Sequence, residues 1–431
     1  MPVIKPFRGL RYADTRPEAI ARVLAPPFDM IGGEQQRALL AASEHNIAWL
    51  TVADDGPGYP GVGARFARWR ESGILQRDPD PAFYVYGQSA GDVTLRGFLA
   101  AVRLGPPAES AVYPHENTFA EPIVDRLALL KSTRCGLEPV FGIHTDTGGR
   151  VADVLRQAAA TEPLWRAQTP DGATHCLRRL TGPDQQRALI EALAGTQVVI
   201  ADGHHRWAAA NALRDEQRAS GATDPEAPHG YGLMLLVEES GAGVQCGAFH
   251  RVVQRLPEGV DPARLDEHLG TGFAIHGFPT EGLSPEEAAR RMVERIGSDP
   301  GPHVFGCCWG TGAALVRLRD LDALLPTASR PIDPIIREFD VALLHRLILR
   351  PRLGCHGDYG PQACAVIFEK DPVAAWRKVT SGSAVMAWFV RPAPISAVLR
   401  AAFAGLKVPQ KATHFHPKPP SGMVMYDVGE Q

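Results

Sequence analysis

The segment 197–217 is the feature that most constrains the fold of this chain. It begins with a β-branched run at 198–201, continues through Asp202-Gly203, and ends in a stretch rich in Ala, Leu and Arg. β-Branched residues favour strands, whereas Ala, Leu and Arg favour helices. The pattern therefore predicts a strand that passes through a glycine turn directly into a helix, as α/β folds require.

The turn has the chemistry of an anion site. The first N–H groups of a helix have no partner inside the helix, and the helix dipole adds partial positive charge there, so phosphate binds well. Gly203 lets a ligand approach the backbone, and His204, His205 and Arg206 add side-chain donors. We therefore predict that Gly203 to Arg206 bind phosphate.

Asp202 needs its own explanation, because a carboxylate repels phosphate. It suits ligation of Mg²⁺ or orientation of a substrate hydroxyl, and nucleotide chemistry accounts for both. One alternative is that Asp202 caps the helix while His204 and His205 only pack. A zinc site at the two His is disfavoured, because adjacent helix residues point about 100° apart.

Two further segments carry candidate site residues. His115-Glu116 precedes Asp125-Arg126, and a Glu before a helix that carries Arg suits a general base beside a phosphate ligand. In the C-terminal tail, Lys411 and Lys418 could add positive charge over a phosphate-bearing ligand. Taken alone, the first segment is more typical of a polar loop capping a helix, and the second of solvated basic residues.

The chain exceeds the roughly 250–300 residues at which one core stops growing, so we expect two lobes. We place them at residues 1–248 and 249–431, with a tail that packs back on the body. In the first lobe we predict a β-hairpin over 82–102, a helix over 124–134 and a strand over 231–237. In the second we predict helices at 261–269, 284–296 and 341–349, and strands at 303–309 and 313–318. The fold class is therefore α/β (α+β).

The composition and the pattern of apolar residues argue against several classes of function. The formal net charge is −3 and no long Lys/Arg run occurs, so nucleic acid is not an expected partner. No apolar stretch approaches the roughly 20 residues that span a bilayer, and the N-terminus does not read as a secretory signal. We expect a cytoplasmic protein without membrane contact. Seven Cys without a CxxC pair argue against a disulfide framework and a zinc ribbon.

Together these motifs resemble the "domain of unknown function one thousand and fifteen" family. The resemblance rests on Ile200 to Arg206, His115-Glu116, Asp125 to Leu127 and the tail from Pro409 to Gly422, and it covers nearly the whole chain. The segment Asp202 to Arg206 is also distantly similar to the phosphate-binding motif of the ParB/sulfiredoxin superfamily, especially its free-serine kinases.

The second likeness implies a ParB/sulfiredoxin-like core and roles for single residues. Glu116 looks like the catalytic base of those kinases, Arg126 like their helix Arg, and 202–206 like the turn that holds nucleotide phosphates. The implied cofactors are ATP or ADP with Mg²⁺. Two features depart from the pattern: a long insertion at 142–196, and His204 in place of the Cys that sulfiredoxins need. The second departure argues against sulfinic-acid repair.

The leading hypothesis is a nucleotide-dependent small-molecule kinase that phosphorylates a hydroxyl of serine or a related hydroxy-amino acid. The candidate catalytic residues are Glu116 as base, Asp202 as metal ligand or acceptor guide, and His204. The candidate phosphate ligands are His115, Arg126, Gly203, His204, His205, Arg206, Lys411 and Lys418. One alternative is a non-catalytic regulator that binds a nucleotide or phosphometabolite. Another is a ParB-like nucleotide switch on nucleic acid, against which the near-neutral charge counts.

Overall fold

The computed structural model describes residues 1–53, 56, 58–91, 93–146, 148–239, 243–328, 330–355, 365–409 and 411–429. The chain forms two compact units. Unit 1 comprises Met1–Val244 and Pro417–Gln431, and unit 2 comprises Gln245–His416. The C-terminal tail is thus shared, because its residues up to His416 belong to unit 2 and its last residues belong to unit 1.

The strands, in chain order, are Ile4–Lys5 (β1), Leu10–Tyr12 (β2), Leu75–Arg77 (β3), Phe83–Ala90 (β4), Val93–Arg103 (β5), Val112–Pro114 (β6), Cys135–Gly136 (β7), Val140–His144 (β8), Trp165–Gln168 (β9), Thr174–Leu180 (β10), Val198–Asp202 (β11), Tyr231–Glu238 (β12), Gln245–Gly247 (β13), His250–Val253 (β14), Phe273–Gly277 (β15), Val304–Trp309 (β16), Gly312–Leu318 (β17), Val366–Glu369 (β18), Met386–Phe389 (β19), His414–His416 (β20) and Tyr426–Asp427 (β21).

The α-helices are Pro17–Val23 (α1), Gly33–Ala42 (α2), Ala48–Thr51 (α3), Pro60–Glu71 (α4), Pro107–Ser110 (α5), Ala120–Thr133 (α6), Arg150–Ala159 (α7), Pro183–Leu193 (α8), His204–Ala219 (α9), Leu265–Leu269 (α10), Pro285–Gly297 (α11), Leu321–Leu324 (α12), Asp340–Leu343 (α13), Pro372–Thr380 (α14) and Ile395–Phe403 (α15). Mixed α and β elements in both units confirm the predicted fold class.

Unit 1 is organised around a mixed sheet that has nine strands among the described residues. Its order is β6-β11-β8-β12-β5-β4-β10-β9, with β1 beside β5. The pairs β6–β11 and β8–β12 are parallel and the other pairs are antiparallel. The predicted hairpin is confirmed as β4 and β5, and β12 confirms the strand predicted over 231–237.

Apolar residues cover both faces of this sheet. On one face, Leu155 and Leu189 of α7 and α8 share a buried core with Phe83 and Phe98 of the hairpin. On another part of the sheet, the Phe7 ring lies 5.0 Å from Tyr84 and 5.4 Å from Tyr426. The tail is fixed there by backbone hydrogen bonds, among them those joining Ser421 to Ala25 and Met425 to Leu10.

Unit 2 contains an antiparallel sheet in the order β15-β17-β16-β19-β14-β18. Helices α11 and α14 supply apolar residues such as Met292 and Trp376 to a core shared with Phe389 of β19. Helix α11 begins where the sequence predicts, because Ser284 and Glu287 form a reciprocal capping box. Strands β16 and β17 confirm the two strands predicted for this lobe.

Three helix predictions differ from the structure. Helix α6 begins at Ala120 and not near Val124, because Pro122 is accommodated in the first helical turn. The segment 261–269 starts with a 3₁₀ turn at Pro262–Arg264, and only Leu265–Leu269 is α-helical. The segment 341–349 begins one residue early and changes from α-helix to π-helix at Leu344–Leu349.

The segment 142–196, predicted as an insertion, extends the sheet of unit 1. After the end of β8 it supplies α7, β9, β10 and α8, so the sheet grows at the edge beyond β4. In the part of the chain that the structure describes, no helix is both long and apolar enough to cross a membrane.

The cysteines are mostly free thiols. Cys135, Cys307 and Cys308 are buried and free, and burial raises the pKa of each thiol, that of Cys308 to about 12. Cys355 forms a disulfide bond, which the spacing of the cysteines did not predict. Cys364 lies outside the described residues.

The stability of unit 2 is expected to fall in acid. Burial, followed by the charge of Arg251, lowers the pKa of His250 from 6.5 to about 4. Between these two pH values the His250 imidazole is protonated in the unfolded chain and neutral in the folded chain. The free energy of unfolding therefore falls as the pH falls from about 6.5 to about 4. The full loss is about 3 kcal/mol.

Urea unfolding at several pH values tests this, with His250→Gln as the matched variant because Gln keeps an acceptor for the N–H of Val390 but does not titrate. The variant should lose less stability than the wild type on acidification. Equal losses would contradict the assignment.

Candidate functional site

The parallel pairing of β6 with β11 brings two sequence-distant motifs to one edge. Val112, Tyr113 and Pro114 lie opposite Val198, Val199 and Ile200 in the register. Because parallel strands end at the same side of a sheet, His115-Glu116 after β6 and Asp202-Gly203 at the end of β11 come together. The predicted strand–turn–helix unit is confirmed: Gly203, with φ 88°, is the N-cap of α9.

The backbone conformation explains why glycine occupies this turn. A φ of 88° lies in the left-handed region that other residues rarely adopt. A Cβ atom at Gly203 would also lie 3.0 Å from the Nε atom of Arg206. Both the backbone conformation and the neighbouring guanidinium therefore disfavour a side chain at this position.

His115 connects the two motifs through a buried imidazole. Its Nδ1 lies 2.7 Å from the carbonyl oxygen of Ile200, and since a carbonyl only accepts, Nδ1 must donate. The Nε2 atom lies 3.9 Å from Oε1 of Glu116, and the ring meets His204 edge-on with centroids 4.7 Å apart. Glu116, His115 and the first residue of α9 thus form one cluster.

His205 joins the starts of two helices. The backbone N–H of Phe119, which is the N-cap of α6, donates to His205 Nε2 at 3.2 Å. The side-chain rings of Phe119 and His205 are stacked, with their centroids 6.3 Å apart. The N-termini of α6 and α9 are therefore held side by side, which concentrates the positive ends of two helix dipoles.

Asp202 lies between two cations. Its Oδ1 is 2.5 Å from Lys418 Nζ, and its Oδ2 accepts from Arg206 Nη2 at 2.6 Å. Lys418 also contacts Asp29 Oδ2 at 3.0 Å, and Arg206 Nη1 donates to the carbonyl oxygen of Pro139 at 2.7 Å. We call Asp29, Glu138, Asp202, Arg206 and Lys418 the ionic cluster.

The pKa shifts in the ionic cluster show how strongly its members interact. Burial lowers the pKa of Lys418, but the charges and hydrogen bonds of Asp202 and Asp29 outweigh it, so the pKa is raised overall. Burial likewise lowers the pKa of Arg206, and Glu138, Asp202 and Asp29 together raise it above its ordinary value. Both cations therefore stay charged, and both are held by carboxylates.

Sequence reasoning missed Asp29 and Glu138. Glu138 is buried, and its Oε1 accepts from the N–H of Phe28 at 3.1 Å and from Ser421 Oγ at 2.6 Å. It thereby ties the segment around Phe28 to the tail. In the sequence, Glu138 is a single carboxylate shortly before the strand that begins at Val140, and this pattern is too common to indicate a site.

Two predicted phosphate ligands are not members of the ionic cluster, although Arg126 lines the same cavity as Glu138 and Arg206. Arg126 donates to Asp125 at 2.7 Å and to the carbonyl oxygen of Thr51 at 3.1 Å, and its guanidinium lies 4.1 Å from the centre of the Phe28 ring. Lys411 belongs to unit 2, where its ammonium lies 5.5 Å from the centre of the Phe249 ring. Their role in phosphate binding stays a prediction.

The residues do not fit a Mg²⁺ ion held by the protein alone. Mg²⁺ needs several oxygen ligands, and both oxygens of Asp202 contact cationic side chains. Among the described residues, no group of three His, Cys, Asp or Glu could hold a metal ion. The contacts of Asp202 therefore do not support the predicted magnesium ligation by this carboxylate.

Fold and site together define an α+β protein with a glycine turn that opens a helix beside a carboxylate–imidazole pair. The chain belongs to the family described as "Protein of unknown function (DUF1015)", whose model matches residues 4–342. No match among curated proteins is found.

Solved structures are similar to this chain only distantly. A free serine kinase variant in complex with AMP is 12% identical, with a TM-score of 0.35 over 75% of this chain and 88% of that chain. A conserved hypothetical protein from Pyrococcus furiosus is 12% identical, with a TM-score of 0.33 over 72% and 90%. SbnI from Staphylococcus aureus, truncated at its C-terminus, is 10% identical, with a TM-score of 0.34 over 74% and 82%. Likenesses at this level carry no argument about activity.

Replacing Lys418 by Met should lower the free energy of unfolding by about 2 kcal/mol, between the values for an exposed and a buried ion pair, because the 16% exposed Asp202 and the 40% exposed Asp29 lose the ammonium between them. The matched control is Lys131→Met, whose partner Glu216 is 47% exposed, and it should cost less than about 1 kcal/mol. Chemical denaturation measures both. Equal effects would mean that Lys418 behaves as an ordinary surface lysine.

Proposed function

We propose that this chain is a nucleotide-dependent kinase that transfers a phosphoryl group from ATP or ADP to a hydroxyl of serine or a related small molecule. One observation carries the proposal: Glu116 Oε1 lies 3.9 Å from His115 Nε2, and the His115 ring meets His204 at the N-terminus of α9, because β6 and β11 run parallel and end together. A carboxylate that can accept a proton and a turn that suits phosphate are thus adjacent.

Phosphoryl transfer requires that phosphates are held and that a base lies near the acceptor hydroxyl. In the proposed reaction, Glu116 takes the hydroxyl proton and the freed oxygen forms a bond to the terminal phosphorus. The bond between that phosphorus and the bridging oxygen breaks, and the shortened nucleotide leaves with the electron pair. Glu116, whose side chain is 23% exposed, is open enough to meet a substrate.

The proposed phosphate ligands are the backbone of the turn and the imidazoles of His204 and His205. The absence of a side chain at Gly203 supports close contact with the backbone, and the paired helix N-termini add positive potential. The contacts of Arg206 and Lys418 support a positioning role, since both hold Asp202 at the end of β11. Asp202 is proposed to guide the acceptor hydroxyl.

A second candidate is a regulator that binds a nucleotide or phosphometabolite without reaction. The favouring observation is that both oxygens of Asp202 contact Lys418 and Arg206, so neither oxygen of this carboxylate is free to bind a metal ion. This protein would bind nucleotide and leave it intact with every acceptor.

Replacing Glu116 by Gln should reduce turnover by at least about 100-fold, since a general base contributes roughly 10²–10⁴-fold, while nucleotide affinity changes little. The assay follows conversion of ATP or ADP in the presence of L-serine and related alcohols. The matched control is Glu121→Gln, an exposed residue in the first turn of α6, which should leave turnover unchanged.

Wild-type turnover retained by Glu116→Gln would remove Glu116 as the base. Nucleotide binding without turnover by the wild type would favour the regulator.

A further inference from the structure

One aromatic ring beside the turn at Gly203 is exposed to solvent. Six large apolar side chains are exposed among the described residues, and Phe119, at 47%, is the one aromatic ring in that set. Single exposed apolar residues are common on protein surfaces, so exposure by itself assigns no role to this ring. Its place in the fold, next to the start of α9, is what makes the ring informative.

The contacts of Phe119 fix its position relative to α9. Its backbone N–H donates to His205 Nε2 at 3.2 Å, and the planes of the two side-chain rings differ by 18°. His205 is the second residue of α9, and Gly203 is the N-cap of that helix. A flat, partly exposed ring is therefore held next to the groups that we propose to bind phosphate.

A nucleotide has the two chemical parts that fit this arrangement. Its phosphates suit the N-terminus of α9, and its base is a planar π-system that stacks on aromatic rings. The ribose lies between base and phosphates, so the protein must contact the two parts at separate but neighbouring places. Phe119 meets this requirement, since its ring neighbours the side chain of the second residue of α9.

We propose that the exposed part of the Phe119 ring stacks on the base of the bound nucleotide. The inference rests on the proposed function, because it assumes that the phosphates lie at the start of α9. Stacking needs no hydrogen bond to the edge of a base, and every base has a π-face. Phe119 therefore favours nucleotides over phosphate chains that lack a base. It binds the donor and takes no part in the transfer of the phosphoryl group.

Calorimetric titration of the full chain with ADP and with pyrophosphate tests the proposal, because pyrophosphate has the two phosphates of ADP but no base. Phe119→Ala removes the ring and keeps the backbone N–H that contacts His205. We expect this variant to bind ADP at least about tenfold more weakly than the wild type, with unchanged affinity for pyrophosphate. Phe119→Trp, which restores a stacking ring, should bind ADP like the wild type.

The matched control is Val124→Ala, because Val124 is 65% exposed on α6 and should not contact the base. This variant should bind both ligands like the wild type. Unchanged ADP affinity in Phe119→Ala would overturn the inference and leave the proposed kinase standing. An equal loss for pyrophosphate would mean that the ring only shapes the turn, which also overturns the inference.

The same titrations separate this inference from the proposed function. ADP affinity that depends on Phe119, together with no turnover for any acceptor, would support the stacking role and contradict the kinase alone. If the wild type bound neither ADP nor pyrophosphate, the phosphate site and the stacking role would both be wrong.

Discussion

The parallel pairing of β6 with β11 is the constraint on which the candidate site depends. Glu116 and Gly203 are far apart in sequence, and they meet because Val112 and Val198 lie opposite each other in two strands with the same direction. A shift of one residue in this register would turn the side chains of β11 to the other face of the sheet. The carboxylate–imidazole cluster would then be lost while each motif stayed intact.

The ionic cluster adds a second, electrostatic constraint. Asp29, Glu138 and Asp202 supply three carboxylates for the two cations Arg206 and Lys418. Two members join distant parts of the chain: Lys418 brings the tail to the turn, and Glu138 holds both the tail and the segment at Phe28. Removing one of them leaves the less exposed partners, such as Asp202, without full compensation, so the cluster specifies where the tail lies.

Local signals predicted the parts of the fold that depend on neighbouring residues. The β-branched run before Gly203 gave the strand and the turn, and Ser284 with Glu287 marked the start of α11. The distant partners of Asp202 and Arg126 could not be predicted, because a charged side chain pairs with whichever charged or polar group the tertiary fold brings near. Lys418, which contacts Asp202, and Tyr59, whose hydroxyl accepts from Arg126, are examples, as neither lies near its partner in sequence. The π-helix at Leu344–Leu349 has no local signature at all.

The central claim, a phosphate site at the start of α9, is tested most directly by calorimetric titration with AMP, ADP and ATP. The measurement compares the wild type with Gly203→Ala, whose Cβ would lie 3.0 Å from Arg206, and with Gly277→Ala, where a Cβ meets no atom within 4 Å. The account predicts affinity that rises with the number of phosphates and falls at least tenfold in Gly203→Ala alone. Equal affinity for the three nucleotides in all three proteins, or no binding, would contradict it.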